Sequence, residues 1–269
     1  MSLDLWWFAY IALGAFVGFM AGMLGIGGGG ILVPMLTIIF THQGFPASSN
    51  VHMALGTSMA SILLTSISSA RAHHRHGAVN WPVVFSFAPG IVLGALGGAF
   101  LAARLSAQPL TVFFGCFMLY IAWRMVSTAR PSAARHLPGK LWLALTGLGI
   151  GILSALVSIG GGTIIIPFLV WCNVPMPKAI GTSAATGFFV ALAGTTGYLL
   201  NGHGVEGMPP GSVGFVYLPG LALVALASIW TAPLGARMAH RMPVVLLKRV
   251  FAVVLLVISA KMLHLVFAS

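Results

Sequence analysis

Ile26-Gly27-Gly28-Gly29-Gly30, running on to Pro34, decides the fold together with its second occurrence, Ile159-Gly160-Gly161-Gly162-Thr163, running on to Pro167. Each string interrupts an apolar run. Each is followed by a further shared string: Ala54-Leu55-Gly56-Thr57-Ser58 after the first, Ala179-Ile180-Gly181-Thr182-Ser183 after the second. Successive glycines weaken a helix by roughly 1 kcal/mol apiece, and three or four in a row exceed what close helix packing needs. The chain therefore reads as a duplicated unit with helices broken at matching positions, a pattern that in a membrane protein points to a transport site.

Composition places that unit in a bilayer. Hydrophobic residues make up 59% of the 269 and charged residues only 6%, with a mean hydropathy of +1.03. A soluble domain of this size needs far more charge to cover its surface. Apolar runs near the roughly 20 residues of a membrane span recur along the whole length. The start, Met1-Ser2-Leu3-Asp4-Leu5, lacks the basic region of a cleaved signal, so the first run is expected to stay as a span. Cys116 and Cys172 lie inside apolar runs and read as small packing residues.

Ten segments follow: roughly 5–24, 30–41, 50–70, 80–102 and 109–127, then 141–157, 163–173, 178–200, 213–235 and 243–267. The expected fold is an all-α polytopic membrane protein of two repeats, 1–127 and 141–269, joined by a polar linker, 128–140. Five segments per repeat is odd, so the second copy must run upside down relative to the first. Cations test this. If all ten segments cross, one side collects Arg71, Arg75, Arg124, Lys140, Lys178 and Arg237, along with Arg130, Arg135, Arg241, Lys248 and Arg249; the other holds Arg104 and Lys261. A rival layout with re-entrant glycine segments spreads the same charges evenly, so the ten-crossing order is expected, with both termini facing outward. The net charge of +11 then reflects topology, not nucleic-acid binding.

The second and seventh segments are short for plain spans, since a helix over 31–41 rises only about 16 Å against a hydrocarbon core of about 30 Å. Glycine-rich backbone before each is expected to supply the deficit. Each repeat then offers a half-helix whose N-terminus lies deep in the protein and carries free N–H groups and about half a positive charge. Two such ends facing one another suit a small anion. Gly25-Ile26-Gly27-Gly28-Gly29-Gly30 also fits a dinucleotide fingerprint, but no strand precedes it and no acidic residue follows at the ribose position.

The residues expected at the anion are Gly27, Gly28, Gly29, Gly30, Thr57 and Ser58 from the first repeat, and Gly160, Gly161, Gly162, Thr163, Thr182 and Ser183 from the second. Arg71, His52, Arg104, Lys178 and Arg237 are candidates for a vestibule or gate, against the plainer reading of interfacial and structural positions. The cluster Arg71-Ala72-His73-His74-Arg75-His76 lacks nearby carboxylates or thiols, so no metal and no cofactor is expected. Asp4 and Glu206, the two acidic residues, fall outside the spans, which leaves no buried carboxylate for a proton relay. An inside-negative potential pushes an anion outward, so export needs no such group. Serines and histidines here lack an oriented aspartate partner, which argues against an intramembrane enzyme.

The twin strings with Pro34 and Pro167, each followed by Gly-Thr-Ser, resemble the TauE/SafE family of sulfite exporters, as do the run from Gly94 to Arg104 and its partner Gly235-Ala236-Arg237. The resemblance implies a transporter of sulfite, sulfoacetate or another small organosulfonate in a bacterial inner membrane. An anion channel of the same architecture and an organosulfonate importer are the alternatives. The partners expected are the small anion and the lipid bilayer, with a homodimer as a candidate assembly. The halves are not equal, because Ser158 and Thr163 stand where the first copy has Gly25 and Gly30.

Overall fold

A computed structural model describes residues 3–24, 28–126 and 136–239, with 252, 253, 255–257 and 260. Gly25 to Gly27, most of the linker and nearly all of the tenth expected segment lie outside the described residues. Nine helices are described: α1 Leu3–Leu24, α2 Gly29–His42, α3 Ala47–Arg75, α4 Trp81–Arg104, α5 Ala107–Val126, α6 Lys140–Leu156, α7 Gly162–Trp171, α8 Met176–Asn201 and α9 Leu218–Ala239. Among them α1, α3, α4, α8 and α9 are long and apolar enough to cross a membrane. The protein is an all-α polytopic membrane protein.

Local chemistry sets the helix starts. Asn80 caps α4, its Oδ1 accepting the Val83 N–H at 3.4 Å, with Pro82 in the first turn. Pro46 and Pro175, in extended backbone, directly precede α3 and α8. Two expected boundaries shift by five residues: α3 runs on to Arg75, past the expected 70, and the ninth segment begins at Leu218, not at 213. Residues 212–217 form a small antiparallel hairpin, Ser212 opposite Tyr217 and Val213 opposite Val216. Gly211 and Gly214, both with positive φ, turn the chain there.

Small residues bring the helices together. α1 runs beside α9 in the same direction, Gly14 against Val224, Gly18 against Ser228 and Gly22 against Ala232. α4 runs beside α6 likewise, Gly90 against Ala144, Gly94 against Leu148 and Gly98 against Ile152. At each of these glycines a Cβ would strike the backbone of the facing helix, as expected where van der Waals contact between backbones drives association in lipid. α3 and α8 cross the centre antiparallel: Gly56 near the start of α3 meets Phe215, whose N–H donates to the Tyr198 carbonyl at the end of α8, and Gly181 near the start of α8 meets Ala78, just past the end of α3.

Two polar contacts fix the course of the first half. Tyr10 Oη donates to Gln43 Oε1 at 2.8 Å, so the end of α2 returns to the level of the start of α1. His73 Nε2 donates to the Gly22 carbonyl at 3.1 Å, so the end of α3 lies at the level of the end of α1. The short helix α2 thus carries the chain back along α1.

Gly94 and Gly97 give a paired test. A Cβ on Gly94 would collide with the Leu148 carbonyl, whereas nothing lies within 4 Å of one on Gly97. Thermal unfolding in detergent should show Gly94→Val losing about 2–3 kcal/mol and Gly97→Ala unchanged or up to about 1 kcal/mol more stable.

Candidate functional site

The two glycine breaks meet inside the protein. Gly28 caps α2 with φ 71° and Gly161 caps α7 with φ 76°, left-handed conformations that favour glycine. Neither helix has a side-chain cap, and Gly28, Gly29, Gly30, Gly160, Gly161 and Gly162 are all buried. Ile31 and Ile164 N–H donate to the cap carbonyls of Gly28 and Gly161 at 3.1 Å each, which leaves the N–H groups of Gly29, Gly30, Gly162 and Thr163 without an acceptor in their own helix, and the half-helix ends carry partial positive charge. Pro34 and Pro167 sit six residues after the two caps, and each deprives the carbonyl four residues earlier, Gly30 or Thr163, of its helical donor. A Cβ on Gly29 would collide with the Ser158 carbonyl, so the start of α2 lies directly on the backbone that leads into α7.

The second break is held from both central helices. Ser158 Oγ donates to the Leu55 carbonyl of α3 at 3.1 Å. Gly187 of α8 leaves room for the Gly160 carbonyl, which would stand 3.2 Å from a Cβ there. Ser158 itself has φ 46°, unusual for a residue with a side chain.

The repeated Gly-Thr-Ser strings build a pair of exchanged clamps. Thr57 Oγ1 accepts the Tyr217 N–H at 2.9 Å, and Thr182 Oγ1 accepts the Asn80 N–H at 3.0 Å. Tyr217 directly precedes α9 and Asn80 directly precedes α4. The third helix of each half thus fastens the entry to the fourth helix of the other. Gly56 and Gly181 admit the carbonyls of Phe215 and Ala78 beside these bonds. Both threonine hydroxyls are fully buried and still have a hydrogen to donate.

The remaining hydroxyls divide. Ser58 Oγ and Thr163 Oγ1 are buried with no hydrogen-bond partner among the described residues. Thr163 lines a cavity of about 200 Å³ with Gly28, Gly30 and Ile159, which brings both half-helix starts to one space walled by Met118 and Leu255. Ser183 and Gly160 line a second cavity of about 260 Å³ between α3 and α8, where Thr65, Ser66 and Ser69 join them. The sequence reading missed these three α3 hydroxyls. Their signal was present, since Ser58, Ser61, Thr65 and Ser69 recur at helical spacing on one buried face.

The candidate gate residues sit apart from both cavities. His52 is buried, donates from Nε2 to the carbonyls of Ala102 and Leu105 at 3.1 and 3.0 Å, and stacks on Phe215 at 5.2 Å. It secures the end of α4. Arg71, Arg104, Lys178 and Arg237 are exposed near helix ends. No group of three His, Cys, Asp or Glu able to hold a metal occurs among the described residues.

The clamps make a stability prediction. Thr57→Val and Thr182→Val keep the shape but leave a part-buried N–H without its acceptor, which should cost about 1–2 kcal/mol in thermal unfolding. Thr57→Ser and Thr182→Ser should restore most of it.

Over residues 10–262 the chain matches the family described as sulfite exporter TauE/SafE. It is 35% identical over 94% of its length to a probable membrane transporter protein of Haemophilus influenzae, covering 96% of that protein. It is 29% identical to a probable membrane transporter protein of Methanocaldococcus jannaschii, with 84% of each chain covered. With the probable membrane transporter protein YunE of Bacillus subtilis it shares 25% identity over 94% of its own length and 96% of the other. No solved structure matches the chain. With paired helix breaks buried at its centre and a match across nearly its whole length, the chain belongs to the sulfite exporter TauE/SafE family of membrane transporters.

Proposed function

We propose that this transporter carries a small sulfur-containing anion, such as sulfite, sulfoacetate or another organosulfonate, outward across a bacterial inner membrane by alternating access. The observation that carries the reading is the meeting of two uncapped half-helix starts on one cavity, which Gly28 and Gly30 line from the first and Thr163 from the second. Free N–H groups at two helix ends offer a negative solute more than water would at that depth, and glycine lets it approach the backbone.

The helix directions support an inverted pair of repeats. Parallel α1 and α9, parallel α4 and α6, and antiparallel α3 and α8 all follow if every segment crosses and the second half is upside down. Re-entrant glycine segments would make α3 and α8 parallel. In the ten-crossing order both termini lie on the periplasmic side, and the exposed Arg71, Lys178 and Arg237 share the cytoplasmic side. The two cavities share no lining residue, which supports separate compartments over a continuous pore. Outward movement follows from the membrane potential, about 2.3 kcal/mol per charge at 100 mV.

Purified protein in liposomes gives the test. Sulfite loaded inside should leave faster under an inside-negative potential, and external sulfite should accelerate exchange of labelled internal sulfite. Flux without trans-acceleration would indicate a channel. No movement of sulfite, sulfoacetate or another sulfonate would defeat the reading.

A further inference from the structure

We propose that the 260 Å³ cavity between α3 and α8 is a binding site for the transported oxyanion, built of hydroxyl donors from α3 and backbone from the second half, with Ser69 as its free donor. This rests on the anion-transport reading and adds residues to it. Ser69 is 4% exposed, lines the cavity, and its Oγ has no hydrogen-bond partner among the described residues. A buried hydroxyl without a partner is costly unless something occupies the space it faces.

The neighbours have the matching chemistry. Thr65 and Ser66 turn their hydroxyls back onto their own helix, donating to the carbonyls of Ser61 and Leu63 at 2.9 Å each. Such bonds compete with alternatives at small cost, and a hydrogen bond to an anion is about twice as strong as a neutral one. An entering oxyanion therefore draws these donors across by side-chain rotation. Ser183 and the Gly160 backbone complete the wall on the other side. No charged side chain lines the cavity, so hydroxyl and backbone donors meet the charge of a bound anion.

The site is one-sided. In the register set by Gly56-Thr57-Ser58 and Gly181-Thr182-Ser183, the α8 counterparts of Thr65, Ser66 and Ser69 are Val190, Ala191 and Gly194. Their space is filled, with the Met59 sulfur 3.0 Å from where a Cβ on Gly194 would be. The cavity also adjoins the half-helix starts. A Cβ on Gly29 would lie 3.0 Å from Ile62, and one on Gly28 would lie 3.3 Å from Ala21, both of which wall the cavity. The Gly28–Gly29 backbone is thus the partition between the hydroxyl compartment and the one bearing Thr163.

The test is the concentration dependence of sulfite counterflow in liposomes, with sulfite-dependent thermal stabilisation of the full chain as a second readout. Ser69→Ala and Thr65→Val should each raise the half-saturating sulfite concentration about tenfold, as expected for losing a bond to a charged group. Thr195→Val removes a hydroxyl that is also buried and unpartnered among the described residues but outside the cavity, and should leave it unchanged. If Ser69→Ala and Thr65→Val retain wild-type half-saturation, the site is overturned while sulfite transport stands. A wild-type chain that neither moves sulfite nor is stabilised by it, nor by sulfoacetate, overturns transport and site together. If Thr195→Val weakens sulfite as much as Ser69→Ala does, the effect is general to buried hydroxyls and the assignment to this cavity fails.

Discussion

The architecture depends on one close approach: the backbone at Gly29 lying against the carbonyl of Ser158, with no room for a side chain between them. That contact joins the two halves where each has surrendered helical hydrogen bonds. Backbone stripped of its helical partners is tolerated at membrane depth only when protein or water covers it. Here the start of α2 packs on the second break, and α3 and α8 hold that break through Leu55 and Gly187. The cost of unwinding is met by contacts available only because two copies of the break exist.

The same exchange recurs in the packing around it. α1 of the first half lies on α9 of the second, α6 of the second lies on α4 of the first, and the threonine clamps cross over in the same sense. Neither half buries its own fourth helix against its own first. A chain built this way is not two domains in contact, and loosening one half's clamp releases the other half's helix. For a transporter this offers a mechanical link, because movement of α3 pulls on the hairpin that starts α9 while movement of α8 pulls on the loop that starts α4.

Much of this was legible in the sequence because glycine and proline punctuate strongly. The starts of α2 and α7 fall within one residue of the expectation, fixed by Gly28 and Gly161. The hairpin at 212–217 was not legible as such, because Ser212 to Tyr217 reads as the head of the apolar run that becomes α9. Pro209-Pro210-Gly211 and Gly214 carried the signal against it. The repeat of Thr57 and Thr182 marked them as important, but their partners are 160 and 102 residues away, beyond any local pattern. Ser69 was hidden differently: a serine in a membrane helix usually bonds its own backbone, and only three dimensions reveal that this one does not.

An experimental map of the full chain in lipid nanodiscs with sulfite present decides whether the paired breaks form the anion site. It should show non-helical backbone before Gly29 and Gly162, the two breaks touching at Gly29 and Ser158 near mid-bilayer, and sulfite density within hydrogen-bond reach of protein donors beside them. Continuous helix through either glycine string, or a separation between Gly29 and Ser158 filled by lipid, would contradict such a site.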